Sequence, residues 1–360
     1  MTAPRDDILL PTMVVGSLPR PRWVRDIIDD RVHQRISEQE ADRLLDDAVL
    51  SAIRLQERAG LDYISDGEWR RENYTRVFAD RVHGFRRQPA QRGCLTLHAF
   101  VIDKLERRGP IVSTDAEYLR RHTDRKIIVT LPAPCTIGDL MWHPEHSASA
   151  YPTRASFVWD CTSILRDEVI SLFRLGVDAV QLDDPLLPRL SDPWTYGLQP
   201  RTADLEATAD LSVQTINHVL EGLDTESVSV HLCHAHGEPY RMPPGSGELI
   251  TRSVQRMRVQ RFAMEFNSPA AQKMQSLKDF PEDKCLGLGV IDPADSRVET
   301  PELVVMRAEN AMRFIDMERL TLNPDCGFAT TAGNSRSLDS AYLKLSAMCR
   351  GAQLLRDAYG

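Results

Sequence analysis

No apolar run in this sequence approaches the roughly 20 residues that a membrane-crossing helix needs, so the chain is not expected to span a bilayer. The opening stretch, MTAPRDDILLPTMVVGS, sets Asp6 and Asp7 ahead of a very short apolar patch, unlike a secretory signal, and a cytoplasmic location is expected. Positive charge is also short. Lys and Arg number 44 against 52 Asp and Glu, a net charge of -8, which excludes a sequence-independent grip on nucleic acid. A disulfide framework is missing too. The seven cysteines (Cys94, Cys135, Cys161, Cys233, Cys285, Cys326, Cys349) are odd in number and scattered, which suits reduced thiols and metal ligands. No repeat, low-complexity tract or linker divides the chain, so a single domain over residues 1–360 is expected.

What is present is an alternation of short apolar strands and longer amphipathic helices, the mark of parallel βα units. Eight stretches read as strands: TMVVGS (12–17), LDYISDGE (61–68), KIIVTLPAP (126–134), VDAVQLDDP (177–185), SVSVHLCHAHG (227–237), FAMEFN (262–267), KCLGLGVID (284–292) and RLTLNPDCG (319–327). The clearest helix covers 37–59, where SEQE forms a capping box from Ser37 to Glu40 and Gly60 stops the helix. Further helices are expected near 154–175, 204–222, 249–260, 301–316 and 337–357. This pattern predicts an α/β chain folded as one (β/α)8 TIM barrel. Residues 83–120, containing CLTLHAFVIDKLERRGPIV, read as a β-hairpin inserted after strand 2.

Catalytic groups of such a barrel project from the C-terminal ends of its strands. The polar residues collect there: Gly16 and Ser17, Asp66 to Glu68, Asp183 and Asp184, His231 and Cys233, Glu265, Asp292 and Cys326. His231 and Cys233, two apart, point to one side of an extended strand, and Glu265 and Cys326 on other strands could converge with them. One imidazole, two thiolates and a carboxylate favour tetrahedral zinc. A lone cysteine on a strand is usually a small buried hydrophobe, but NPDCG presents Cys326 in a turn. A rival reading takes His234 and His236, in HAH, as a His-x-His metal pair of the kind that hydrolase barrels carry on their first strand; here it follows a fifth strand. The other five cysteines show no ligand spacing and read as packing residues.

Glu68 and Asp183, ending strands 2 and 4, could hold an ammonium group or act as acid and base; the plainer alternative is an ion pair with Arg70 or Arg71. The turn VGSLPRP offers backbone N–H groups and the Ser17 hydroxyl to a carboxylate.

Taken in order, VGSLPRP, DGEWRR, QLDDP, HLC, MEFN, LGLGVID and NPDCGF resemble the catalytic domain of cobalamin-independent methionine synthase and its short single-domain relatives. The resemblance implies zinc held by His231, Cys233, Glu265 and Cys326, and a methyltransferase in which a zinc-bound thiolate of a homocysteine-like acceptor takes a methyl group to give methionine. It assigns the acceptor's carboxylate to Val15, Gly16 and Ser17 and its amine to Glu68 and Asp183. The methyl donor would be a methylfolate or a methyl-corrinoid. A second, N-terminal barrel that binds the folate tail is expected to be absent, since strand 1 begins about a dozen residues into the chain. The family's proton-donor histidine is replaced by Ala294, leaving Asp292 and Asp295 nearby as acids, and Trp142 could stack on a pterin. Two other readings stand beside this one. One is an alkyltransferase acting on another thiol such as coenzyme M with an epoxide. The other is a metal-free decarboxylase-like or non-catalytic barrel. A homo-oligomer is compatible with the chain.

Overall fold

The computed structural model describes residues 8–87, 99–190, 205–233, 246–267, 274–329 and 337–360. Seven parallel strands form one sheet: β1 (Tyr63–Ile64), then, beyond the hairpin strands β2 (Val82–Arg87) and β3 (Ala99–Arg107), β4 (Lys126–Pro132), β5 (Ala179–Asp183), β6 (Val228–Leu232), β7 (Arg261–Met264), β8 (Cys285–Ile291) and β9 (Leu320–Pro324). Sheet order is β1-β4-β5-β6-β7-β8-β9, and β2 pairs antiparallel with β3.

The eighth position is filled by residues 11–13, not by a full strand over 12–17. Met13 N donates to Leu322 O at 3.1 Å, Leu322 N donates to Pro11 O at 2.9 Å, and Asp62 N and Tyr63 N both donate to Thr12 O at 3.1 Å. This segment therefore joins β9 to β1 and closes the barrel, as a single bridge at Thr12. The Asp62 carboxylate pins the bridge residue from the side. Asp62 Oδ2 accepts Thr12 N and Thr12 Oγ1, each at 2.8 Å, and Arg356 Nη2 at 2.6 Å. β1 is likewise shorter than the expected 61–68. Gln56 claims the backbone of Ser65, donating to its O at 2.7 Å and accepting its N–H at 3.0 Å. Asp62→Ala should remove this closure, and with hydrogen bonds to a charged acceptor worth roughly 1.5–3 kcal/mol each, a loss of about 3 kcal/mol or more is expected in urea unfolding.

All six expected helices form close to their expected bounds, and others join them. α1 (Arg22–Val32) precedes α2 (Glu38–Ala59), whose N-cap Ser37 accepts Glu40 N and whose C-cap Gly60 sits at φ +95°. α3 (Arg76–Arg81) leads into the hairpin, and α4 (Ser113–His122) occupies the end of what the sequence suggested was insertion. α5 (Pro134–Met141), α6 (Pro144–Ser147), α7 (Arg154–Arg174), α8 (Leu205–Val219), α9 (Ser246–Arg256), α10 (Pro301–Met312) and α11 (Leu338–Tyr359) complete the set. Among the described residues no helix is long and apolar enough to cross a membrane.

Alternation along the strands separates two environments. Ile127, Val129 and Leu131 of β4, Val180 and Leu182 of β5, Val230 and Leu232 of β6, and Leu286, Leu288 and Val290 of β8 belong to the main core with the helices. The intervening residues form the barrel interior. A small apolar plug of Met13, Tyr63, Ile128 and Ala179 lies at one level. Two and four residues further along the same faces come Thr130 and Pro132, Gln181 and Asp183, His231 and Cys233, and Glu265. The interior turns polar toward the C-terminal ends, so the fold itself delivers polar groups to one mouth.

Candidate metal centre

Parallel register sets Asp183 beside His231 across β5 and β6. His231 Nδ1 lies 3.2 Å from Asp183 Oδ1. A carboxylate only accepts, so Nδ1 carries a proton, and in the neutral ring Nε2 is the nitrogen with a lone pair to offer a metal. His231 Nε2 is buried and has no hydrogen-bond partner among the described residues. Beside it are two thiols: Cys233 Sγ, just past β6, and Cys326 Sγ, just past β9, are 3.5 Å apart. One donor atom from each of His231, Cys233 and Cys326 falls within 4.8 Å of the others, and all three residues are buried.

An orphaned imidazole nitrogen facing two thiols fits a thiophilic cation. In the metal-free chain the Cys326 thiol, with burial, pushes the Cys233 thiol well above its ordinary range. A divalent ion removes that conflict, because two thiolates so close need a shared positive charge. Glu265 directly follows β7 and is 2% exposed, but its carboxylate lies outside the group of three donors. His143, Glu145 and His146 form a second, half-exposed group, in which His143 Nδ1 is occupied in accepting Glu145 N as a helix cap. His234 and His236 lie outside the described residues.

A second set of groups is assembled from the turns after residue 15 and after β1. Glu68 is 3% exposed and stands at φ +60°, directly after Gly67 at φ +63°. A non-glycine residue in the left-handed region is strained, and such strain is found where function fixes the backbone. Arg20 holds this conformation, Nη2 donating to Glu68 O at 2.7 Å and Nε at 3.2 Å. Thr130 Oγ1 donates to Glu68 Oε1 at 3.0 Å, and Arg71 Nη1 stands 3.7 Å from the same oxygen. Burial pushes the Glu68 carboxyl up, Arg71 opposes it, and Asp183 adds to it.

Val15, Gly16 and Ser17 meet both halves of the mouth. Gln181 Nε2 donates to Val15 O and, at 2.7 Å, to Asp183 Oδ1. A β-carbon at Gly16 would sit 2.8 Å from Glu68 Oε1, so glycine is what lets the carboxylate approach that turn. Ser17 Oγ accepts Ala329 N at 3.2 Å, and Ser17 O accepts Phe328 N at 2.8 Å, which ties this turn to the one carrying Cys326.

The remaining expected residues are more dispersed. Asp184 faces away from the mouth, where its carboxylate accepts from Thr136 Oγ1 at 3.1 Å and Ser212 Oγ at 2.5 Å and so braces α5 and α8. Trp142 is half-buried and its indole N–H donates to Tyr151 O at 3.0 Å, a packing arrangement. Asp292 follows β8; its N–H donates to Glu299 Oε1 at 2.9 Å and its Oδ1 accepts Ala294 N at 2.8 Å. Asp295 is paired with Arg297 at 2.7 Å, and those hydrogen bonds hold its carboxyl far below the usual range. An acid held ionised in this way has no proton to give near neutrality. Thr130, Arg71 and Gln181 were not singled out for these contacts in the sequence. Only Arg71 carried a signal, as a possible ion-pair partner of Glu68.

Over residues 10–353 the sequence matches a family described as "Cobalamin-independent synthase, Catalytic domain". The chain belongs to this family. The resemblance carried by the seven motifs is borne out. The chain is 29% identical over 354 residues to a protein named methionine synthase from Pyrococcus abyssi, covering 97% of this chain and 93% of that protein. A protein of the same name from Saccharolobus solfataricus is 27% identical over 356 residues, covering 97% and 96%. Among solved structures, a B12-independent methionine synthase from Shewanella in complex with selenomethionine superposes with a TM-score of 0.78 at 23% identity, covering 98% of this chain and 99% of that one. At that identity the likeness speaks for the fold, and it agrees with the expected barrel.

Proposed function

We propose that this chain is a zinc-dependent methyltransferase that methylates the thiol of a homocysteine-like amino acid, giving methionine. The observation that carries the reading is the buried, unpartnered His231 Nε2 beside the Cys233 and Cys326 thiols. His231, Cys233 and Cys326 would hold the zinc, with Glu265 as the fourth ligand. Bound there, zinc supplies a Lewis acid that lowers the pKa of a substrate thiol.

The chain's own groups account for the rest of the acceptor. Asp183 keeps His231 in the tautomer that leaves Nε2 free. Glu68 and Asp183 offer negative charge to an ammonium, and the Gly16–Ser17 turn lies beside Glu68, suited to the carboxylate end of the same molecule. Two acids within a buried mouth suit an amino acid better than a thiol lacking an amine. Asp292, at the end of β8, is the carboxyl best placed to handle a proton on the donor side, since Asp295 is neutralised by Arg297. Relatives named methionine synthase support the same assignment. The methyl donor is a methylfolate or a methyl-corrinoid.

The test is an assay of the zinc-loaded protein with homocysteine and either methylfolate or methylcobalamin, reading methionine by mass spectrometry. Methionine from either donor supports thiol methylation and names the donor. Protein that holds zinc but yields no methionine from either would sink the reading. A protein that binds no zinc would sink it earlier.

A further inference from the structure

Asp325 is fully buried, and its carboxylate collects N–H groups from a strand end other than its own. Oδ1 accepts Phe266 N at 3.1 Å and Asn267 Nδ2 at 3.0 Å, while Oδ2 accepts Asn267 N at 2.8 Å. Its own N–H donates to Ile291 O at 2.7 Å, and Asn267 Nδ2 also donates to Gly289 O at 2.6 Å. The Asp325 carboxylate therefore ties the end of β9 to that of β7, while its backbone N–H and the Asn267 side-chain amide reach the end of β8. The residue before Phe266 is Glu265, and the residue after Asp325 is Cys326.

Space for this carboxylate comes from β8. A β-carbon at Gly289 would collide with Asp325 Oδ1 and would sit 2.8 Å from Met264 O. One pleat earlier, a β-carbon at Gly287 would stand 2.6 Å from Asn323 Oδ1 and 3.0 Å from Ala263 Cα. The glycines of LGLG thus act as a notch in β8 that admits the Asn323 and Asp325 side chains of β9, and not as a turn. Three N–H donors converging on one group call for an acceptor without hydrogens, and a carboxylate meets that need where an amide would oppose one N–H with another.

We propose that Asp325 is a positioning residue for the metal centre. Its carboxylate fixes the turn that carries Cys326 against the strand end that carries Glu265, so that ligands from two separate strands arrive at a set spacing. This rests on the zinc reading above. Outer groups that orient metal ligands typically change metal affinity by about 10- to 100-fold when removed.

The test uses the full chain as Asp325→Asn and as the milder Asn267→Ala, which leaves the carboxylate and its backbone donors and deletes the side-chain amide's bonds to Asp325 and to Gly289 O. Zinc affinity is read by competition with a chromophoric chelator, and hydrogen exchange of the Phe266 and Asn267 amides is read on the metal-free proteins. Expected for Asp325→Asn is zinc binding weaker by about 10-fold or more with faster exchange at both amides; for Asn267→Ala, a smaller loss in the same direction. A merely structural residue would lower the melting temperature of the metal-free protein and leave zinc affinity as in the unsubstituted chain; that result, in whichever variant folds, overturns the proposal. If the unsubstituted chain binds no zinc, the functional reading fails instead. The amide exchange then still decides whether the clamp exists, and unchanged exchange in Asp325→Asn would overturn that as well.

Discussion

Cys326→Ser and His231→Ala are each expected to leave the protein without metal after dialysis, whereas the unsubstituted chain and His234→Ala retain about one zinc per chain, as four-coordinate protein sites do. The three donors that the fold brings together arise from β6 and from the turn after β9, so removing any one opens the set on one side. Structural zinc sites are worth roughly 10–16 kcal/mol in small peptides and need deprotonated ligands, and a serine hydroxyl, unlike a thiol, does not ionise near neutrality to serve as one. His231→Ala has a second consequence: it leaves Asp183, 6% exposed, without the imidazole N–H it now accepts. That variant should therefore lose stability as well as metal, and Cys326→Ser should lose metal with little change in melting temperature measured metal-free. Elemental analysis beside thermal unfolding separates the two effects. Zinc lost from His234→Ala but kept by His231→Ala would show that the ligands had been assigned to the wrong histidine.

How much of this was visible in the sequence differs between elements, for physical reasons. The middle strands were legible where their interior-facing residues change from apolar to polar, while the first expected strand, 12–17, narrows to a bridge at Thr12 and the second, 61–68, to Tyr63–Ile64. The change to polar residues, at Gln181 and Asp183 or at His231 and Cys233, is also what marks the mouth. α2 was legible to its ends, since Ser37 and Gly60 write its caps in single residues. α1 was not expected, and it has no side-chain cap at Pro21 to announce it. α5, PCTIGDLM, is buried nearly all round and shows no polar face from which a helical period could be read. The hairpin was expected, but its first strand, Val82–Arg87, lies ahead of the segment that suggested it, because a glycine at φ +108° and a register shift break the alternation there. At the candidate site, the convergence of His231, Cys233 and Cys326 was legible and the contacts that support them were not. Thr130, Gln181 and Asp325 act through contacts between strands, at sequence separations of 62 for Thr130 to Glu68, 166 for Gln181 to Val15 and 59 for Asp325 to Phe266, and no local pattern records a contact of that kind.

Glu68→Gln should reduce homocysteine affinity by at least about 30-fold, since losing one partner of a buried charge pair costs about 2–5 kcal/mol and 1.4 kcal/mol is tenfold. It should do so without lowering stability at pH 7, and the sign follows from the titration of the carboxyl. In the folded chain burial raises its pKa, Arg71 and Arg20 pull it down, and Asp183 and Asp66 push it up, with burial prevailing. In the unfolded chain it titrates near the ordinary glutamate value of about 4.3. A carboxyl whose folded pKa lies above its unfolded one favours the folded state when protonated, and that contribution is lost as pH rises through the window between the two values. Once ionised, Glu68 is therefore held at a cost to stability, and the uncharged amide avoids that cost. Stability of Glu68→Gln relative to the unsubstituted chain should be greatest at pH 7 and should vanish below the unfolded carboxyl's range. Arg71 is the control on this argument. Its Nη1 donates to Thr130 O at 3.0 Å and to Thr130 Oγ1 at 3.1 Å, while Nε and Nη2 have no hydrogen-bond partner among the described residues, so much of its effect on Glu68 is exerted as charge. Arg71→Met should move the acid limb of homocysteine binding to higher pH, because Glu68 then protonates more readily, and Arg71→Lys should move it back toward the original position. An acid limb that stays in place in Arg71→Met, measured by calorimetric titration from pH 5 to 8, would mean that Glu68 is not the group whose ionisation binds the amine.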